Sequence, residues 1–164
     1  MLDVFNILGS YWELFLVGQY PHGPMGGLVN TLVLASLALI IAFPLSILLA
    51  IARTSPIGLF RNPVTVWVYV MRGIPLIMVI FWTYFLVPSL IGRNVSGFTT
   101  MLCTLVLYQS AYLCEIIRGG LQALPEGQIE ASRALGLGYF RTMFYILLPQ
   151  ALYNSIPSLI SQFV

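Results

Sequence analysis

A group of polar and ionisable residues lies near the end of a long apolar run in this sequence. Glu115 and Arg118 are three residues apart, so they can pair on one face of a helix. A lone carboxylate near a membrane is a functional candidate by default, and a structural ion pair with Arg118 is an equal alternative. Tyr108, Gln109 and Tyr112 occupy the preceding turns. These residues predict either the polar lining of a path for a solute or a structural cluster.

Several kinds of chemistry are excluded by the residue types. The 7 basic residues are all arginine, so neither a phosphate-binding GxxxxGK[ST] loop nor a Schiff-base lysine exists in this sequence. His22 is the only histidine, and no HExxH motif or convincing nucleophile–base pair accompanies it. The net charge of +2 is too small to predict nucleic-acid binding. We therefore predict a protein that is not an enzyme and that holds no metal ion or cofactor.

The most polar stretch of the sequence reads EGQIEASRALGLGYFRTMFYILLPQAL, from Glu126 to Leu152. Pro125 suits the first turn of a helix, and Gly136 and Gly138 are typical of its end. Within this short helix, Glu130 and Arg133 have the spacing of an ion pair. A short helix with defined ends can project from the membrane region and bind in the groove of a partner protein. A solvated connecting loop is the alternative.

A second short helix is predicted over 139–148, ended by Pro149. Its apolar residues recur at i, i+3, i+4 and i+7, which predicts one apolar stripe on the inner membrane surface. The stripe comprises Phe140, Met143, Phe144 and Leu147. The first short helix would thus be held between two membrane-associated elements.

The surrounding elements are apolar enough to be membrane helices. Hydrophobic residues make up 59% of the sequence and charged residues 7%, which is far fewer charges than soluble domains carry. Three uncharged runs approach or exceed the roughly 20 residues that span a bilayer: Leu28–Ala52, Ile74–Gly92 and Asn94–Cys114. They do not alternate as barrel strands do. We predict an all-α membrane protein with spans at about 28–52, 74–92 and 95–117.

The arginine distribution predicts the orientation of these spans. Six of the 7 arginines fall in the connections on one side, and only Arg93 falls on the other. Because arginine-rich short loops stay in the cytoplasm, the loop 119–149 is predicted to be cytoplasmic and the N-terminus to be outside. Residues 1–27 mix aromatic residues with two acids, which predicts an amphipathic segment at the outer interface.

The sequence RGIP marks the start of the second span. An arginine at the bilayer centre costs at least about 2.5 kcal/mol, so Arg72 is predicted at the cytoplasmic edge. Gly73 and Pro75 are expected to separate a preceding interfacial helix from the spanning one. Arg72 is thus either part of the inner mouth of a path or a simple positive-inside anchor.

The polar stretch resembles the EAA loop of permease subunits in bacterial ABC importers. The resemblance rests on the order E-A-S, then G, then I-x-L-P, although the family prefers alanine at the position of Ser132. The segments RGIPL, AYLCEIIRGGLQALPEGQIEASRALGL and ILLPQAL are together similar to the polar amino-acid uptake group, most closely the glutamate/aspartate type. The resemblance assigns coupling to an ATPase to Glu130, Ala131, Ser132, Gly136, Leu148 and Pro149.

The resemblance implies a MetI-like transmembrane fold in the bacterial cytoplasmic membrane. Its partners would be a cytoplasmic ABC ATPase dimer, a second permease subunit in a homodimer or heterodimer, a periplasmic or surface amino-acid-binding protein, and the bilayer. Family members continue past PQAL, so we expect a truncated domain over 28–164, with three full spans and the start of a fourth at 151–164, which would not transport alone. Translocation-path candidates are Arg72, Tyr108, Gln109, Tyr112 and Glu115.

Two other classes of function remain as alternatives. A channel or secondary transporter driven by an ion gradient would explain Glu115 and Arg118 but not the EAA spacing. A membrane-embedded enzyme is the least supported, because no catalytic group is evident. The transported amino acid and the choice between homodimer and heterodimer are not readable from the residues.

Overall fold

The computed structural model describes residues 2–23, 26–93 and 95–163, and this part of the chain is helical almost throughout. The predicted all-α class is confirmed. Predicted segments also include Met1, Pro24, Met25, Asn94 and Val164, which lie outside the described residues. In chain order the elements are α1 Leu2–Val17, α2 Gly27–Thr54, α3 Gly58–Gly73, α4 Leu76–Ile91, α5 Gly97–Gln122, α6 Glu126–Ala134, α7 Tyr139–Arg141, a π-helical segment Thr142–Leu147 and α8 Leu148–Phe163.

Two of the described helices, α2 and α5, are individually long and apolar enough to cross a membrane. They have 28 and 26 residues and coincide with the first and third apolar runs. At the α-helical rise of about 1.5 Å per residue, each exceeds the hydrocarbon thickness of about 30 Å. These two helices, which pack against each other, are therefore the candidates for single-helix spans.

The second apolar run is part of a bent pair of helices. Helix α4 has 16 residues, about 24 Å at the helical rise, so it is shorter than the predicted run 74–92. It meets α3 at a bend of 107°. The break falls at Gly73 and Pro75, as predicted, because proline lacks the N–H that would continue α3. The chain thus turns sharply beside the end of α5.

Close packing between the long helices relies on small residues. Helix α2 buries Ala38, Ala42, Ser46 and Ala50 at four-residue intervals against α5. Small side chains let helix backbones approach closely, which favours helix association in membranes. Helix α8 repeats the pattern against α5 with buried Ala151, Ser155 and Leu159. Helix α5 is therefore the central helix of the described fold.

The predicted helix end at Pro149 is wrong. The chain stays helical from Tyr139 to Phe163, and Pro149 lies in the first turn of α8. The preceding segment, Thr142–Leu147, is π-helical, and the backbone N–H of Leu148 donates to the carbonyl of Met143. In a π-helical turn the carbonyl of residue i accepts from the N–H of residue i+5 instead of i+4. This changes the backbone hydrogen-bond register just before Pro149, which has no N–H to donate. The local widening accommodates the proline.

The predicted single apolar stripe is also wrong. Met143 and Leu147 are buried, whereas Phe140 and Phe144 are exposed. The spacing i, i+3, i+4, i+7 defines one face only when the helix keeps the α-helical period. In the π-helical segment Met143 and Leu147 share the inner face, whereas Phe144, and Phe140 in the preceding α7, lie outside it.

Candidate functional site: the α6 projection and the arginine cluster at the end of α5

Helix α6 is a short projection with a sharply defined end. Pro125 precedes its first residue, and Gly136 follows it with φ of 74°, in the left-handed region that favours glycine. The N–H of Gly136 donates to the carbonyl of Arg133 at 2.9 Å, and the N–H of Leu137 donates to that of Ser132 at 3.0 Å. These bonds satisfy carbonyls that a helix C-terminus leaves free. The predicted helix and its glycine stop are both present.

The residues of the EAA pattern divide between two faces. Glu130 and Ala131 are exposed, whereas Ser132 is buried and donates its hydroxyl to the Ile129 carbonyl at 2.8 Å. The predicted ion pair between Glu130 and Arg133 is absent, since every ion pair among the described residues involves Glu115. Two exposed charged side chains lose conformational entropy on pairing and gain little in return. Both stay available on the surface.

The other two predicted coupling residues, Leu148 and Pro149, begin α8 and differ in burial. Leu148 is buried in the core with Ala50, Ile117 and neighbouring side chains. Pro149 is exposed. Leu148 therefore anchors the end of the loop in the domain, and Pro149 determines the local helix geometry.

Sequence reasoning missed the amide pair that joins α6 to α8. Gln128 and Gln150 exchange two hydrogen bonds, each of 2.7 Å. Gln150 also donates to the Ile146 carbonyl in the π-helical segment at 2.8 Å. Both glutamines lie inside the motifs that carry the family resemblance, but two amides 22 residues apart give no periodic signal. Only the fold brings them together.

A cleft of about 860 Å³ separates the α6 projection from the C-terminal end of α2. Its lining includes Arg53, Ser132, Arg133, Tyr139 and Met143. Partial desolvation raises the pKa of the Tyr139 hydroxyl above its ordinary value. The cleft shows that the end of α2 and the α6 projection lie on the same side of the domain.

Three arginines converge on Glu115. Arg53 donates to Oε2 and Arg118 to Oε1, while a guanidinium nitrogen of Arg72 lies 3.6 Å from Oε2. Arg53 is buried and its guanidinium also lies over the ring of Tyr69 at 5.2 Å. The predicted pairing of Glu115 with Arg118 is present, but the role of Arg53 was missed. The ends of α2, α3 and α5 are thus joined by one carboxylate.

The two predicted tyrosines support the bend between α3 and α4. The Tyr108 hydroxyl lies 3.4 Å from the Ile74 carbonyl, and the Tyr112 hydroxyl lies 3.5 Å from the Arg72 carbonyl. The two hydroxyls are 3.0 Å apart. Carbonyls at a helix C-terminus lack partners within the helix, so these phenols partly satisfy the end of α3. Gln109 is half-buried on the same helix.

The predicted residues therefore form two groups on one side of the domain. Arg72 contacts both Tyr112 and Glu115 beside the bend, whereas Glu130, Ala131 and Ser132 lie on α6. Arg53 belongs to both regions, since it binds Glu115 and lines the cleft. Among the residues that the structure describes, no three His, Cys, Asp or Glu side chains are grouped to hold a metal ion.

Comparison with known proteins agrees with the sequence resemblance. Residues 42–164 match the family of binding-protein-dependent transport system inner membrane components. The chain is 40% identical over 156 residues to the inner membrane amino-acid ABC transporter permease protein YhdY of Escherichia coli, covering 94% of this chain and 42% of YhdY. It is 36% identical over 138 residues to the probable glutamine ABC transporter permease protein GlnP of Bacillus subtilis, covering 84% and 63% of the two chains. It thus spans less than two thirds of the length of either relative.

Solved structures share the fold. An amino acid ABC transporter with histidines aligns with a TM-score of 0.79 at 33% identity, covering 97% of this chain and 70% of the other. The methionine ABC transporter MetNI, in an inward-facing conformation, aligns with a TM-score of 0.59 at 24% identity over 83% of this chain and 66% of that one, which supports the fold alone. The chain belongs to the family of binding-protein-dependent transport system inner membrane components, and its relatives are amino-acid ABC transporter permeases.

Proposed function

We propose that this chain forms part of the translocation path of an ATP-driven amino-acid importer and that the loop 119–149 couples it to a separate ATPase. The observation that carries the proposal is the α6 projection, which exposes Glu130 and Ala131. Ser132 faces inward and Gly136 closes the end of the helix, so the exposed pair is presented in a defined orientation. With no lysine for a phosphate-binding loop, the chain depends on another protein for ATP hydrolysis.

The partners follow from this role. They are a cytoplasmic ABC ATPase dimer, a second permease subunit, identical or different, and a periplasmic or surface amino-acid-binding protein. The substrate is a polar amino acid, because relatives carry the names of glutamine, glutamate and aspartate transporters. Large apolar side chains are exposed along α4, including Phe81, Trp82 and Phe85, which suits contact with lipid or with a second permease subunit.

We place this chain in the bacterial cytoplasmic membrane with the N-terminus outside and α6 in the cytoplasm. The arginine distribution supports this orientation. The structure adds support, because Arg53 and Arg61 line the same cleft as Ser132. Arginine-rich connections and the coupling projection therefore occupy one side.

At the inner end of the path we place Arg72, Tyr108, Gln109, Tyr112 and Glu115. Arg72 supports this assignment because its side chain is 38% exposed although it faces Glu115. Its guanidinium also lies over the ring of Tyr112 at 5.6 Å. A cation near several hydroxyl and amide groups suits the zwitterionic head of an amino acid.

The test places a single cysteine at an exposed position of α6, with Cys103 and Cys114 replaced by alanine. Ala131→Cys should react with a membrane-impermeant maleimide only from the cytoplasmic side and should crosslink to the ATPase. Arg93→Cys is the matched control and should react only from the outer side. Labelling of residue 131 from outside alone, or the absence of any ATPase crosslink, would contradict the proposal.

Uptake measurements separate this function from the ion-gradient alternative. The assembled transporter in proteoliposomes should import radiolabelled glutamate or glutamine when ATP and the binding protein are present. An uncoupler of ion gradients should leave that uptake unchanged. Uptake that survives ATP depletion but stops with the uncoupler would favour a secondary transporter.

A further inference from the structure

One pair of side chains joins the α6 projection to α8 by hydrogen bonds in the part of the chain that the structure describes. Among the hydrogen bonds of the described residues, only Gln128 links α6 to a side chain of another helix. The Nε2 of Gln128 donates to Oε1 of Gln150, and the Nε2 of Gln150 donates to Oε1 of Gln128, both at 2.7 Å. Because two antiparallel bonds join the same two amides, they restrict rotation as well as separation.

Gln150 extends this connection into the irregular part of the following helix. Its Nε2 also donates to the Ile146 carbonyl at 2.8 Å. Ile146 belongs to the π-helical segment, and Pro149 stands directly before Gln150. Single π-helical turns inside α-helices are frequent at functional sites. The amide pair therefore fastens α6 to a helical segment whose hydrogen-bond register departs from the α-helical pattern.

Gln128 lies on the side of α6 that faces α8, where it meets Gln150. Both are half-buried, whereas Glu126, Glu130 and Ala131 are exposed. Apart from the amide pair, α6 is tethered by the chain segments before Glu126 and after Ala134, and it lies against the π-helical segment. A force applied to the exposed face would thus reach α8 through the amide pair and this contact.

We infer that Gln128 and Gln150 are positioning residues for energy coupling, which transmit the movement of α6 to α8. This inference rests on the proposed coupling function of the loop. Without the pair, a docked ATPase would still move α6, but the π-helical segment would absorb part of that movement. ATP hydrolysis would continue while import per ATP falls. A merely structural pair would instead lower both in proportion.

The test is a double-mutant cycle in the assembled transporter, reconstituted in proteoliposomes with its ATPase and binding protein. Gln128→Met and Gln150→Met preserve side-chain length and remove the hydrogen bonds. Each should reduce radiolabelled amino-acid uptake per ATP hydrolysed by roughly five- to tenfold. Because both variants break one connection, the double variant should be no worse than either single variant. Gln128→Glu with Gln150→Lys should restore part of the ratio through an ion pair.

The matched control is Gln19→Met, the same chemical change at an exposed amide outside the loop 119–149, whose side chain makes no hydrogen bond among the described residues. Its uptake per ATP should equal that of the wild type. Single variants with a wild-type ratio, or losses that multiply in the double variant, would overturn the inference. If the single variants fail to assemble, a wild-type ratio in the double methionine variant would overturn it. Crosslinking at Ala131→Cys is scored separately, because its loss would contradict the coupling function itself.

Discussion

Arg53 donates a hydrogen bond to the carboxylate of Glu115, which joins the C-terminal end of α2 to α5 across 62 residues of sequence. The Arg53 side chain is 6% exposed and the Glu115 side chain 22%. The same carboxylate accepts from Arg118. The ends of the two long helices are therefore held together by a carboxylate whose removal would leave a buried guanidinium without a counterion.

Replacing Glu115 by glutamine should destabilise the domain strongly. Breaking a buried ion pair by removing one partner costs about 3 kcal/mol or more. Here two arginines would lose their counterion, and the amide NH2 would replace one of the two acceptor oxygens. The measurement is the thermal unfolding midpoint of the purified assembled protein in detergent. Arg72→Gln is the control, since Arg72 lies 3.6 Å from Glu115 and is 38% exposed, and it should cost less than about 1 kcal/mol. Equal midpoints for the two variants would contradict this assignment.

Two adjacent glycines at the end of α5 should respond differently to the same substitution. A Cβ at Gly120 would collide with Ser155 and the Ala151 carbonyl on α8, whereas a Cβ at Gly119 would meet nothing within 4 Å. Gly120→Ala should therefore cost about 1–3 kcal/mol by overpacking. Gly119→Ala should be neutral or stabilise by up to about 1 kcal/mol, because alanine favours helix. Thermal unfolding of both variants would decide this, and a stable Gly120→Ala protein would argue against the close α5–α8 contact.

The turn after α6 gives a second matched pair of glycines. Gly136 has φ of 74°, whereas Gly138 has φ of −73°. Gly136→Ala should cost about 1 kcal/mol or more, because alanine is strained in the left-handed region, and it should reorient the end of α6. Gly138→Ala should be tolerated. Uptake driven by ATP and crosslinking to the ATPase are the measurements, and equal effects at the two positions would refute the role of the turn.

The bend between α3 and α4 should loosen when its phenol groups are removed. Tyr108→Phe removes a hydroxyl that contacts both the Ile74 carbonyl and the Tyr112 hydroxyl. The bonds are long, so the expected cost is about 1 kcal/mol or less. Hydrogen exchange of the backbone amides around residues 73–78 should become faster. Tyr84→Phe is the control, because the Tyr84 side chain is exposed and makes no hydrogen bond among the described residues.

Much of the local structure was predictable from residue types. The break at Gly73 and Pro75 and the end of α6 at Gly136 both follow from the backbone limits of proline and glycine. The prediction that Pro149 ends a helix failed for a physical reason. A π-helical turn ahead of it moves the hydrogen-bond register, so the missing N–H no longer interrupts the helix. That adjustment accompanies the burial of Met143 and Leu147, which depends on tertiary packing.

The candidate site likewise contains contacts that residue spacing predicted and contacts that it did not. The pairing of Glu115 with Arg118 was predictable because three residues bring side chains together on any α-helix. The convergence of Arg53 and Arg72 on that carboxylate was not, because it depends on the crossing of α2 with α5 and on the 107° bend. The predicted pair of Glu130 with Arg133 had the same favourable spacing, yet it did not form on the exposed surface of α6.

Composition by itself indicated a helical membrane protein, and the resemblance of the EAA-like stretch and its neighbouring segments to a known family indicated a relation to amino-acid permeases. Those properties are local, since they depend on hydropathy over about 20 residues and on motifs within one loop. Tertiary structure alone decided that Gln128 meets Gln150 and that Arg53 meets Glu115. Contacts between residues 22 and 62 positions apart require helices to pack at particular distances and angles. Helix packing therefore determines which polar groups become partners.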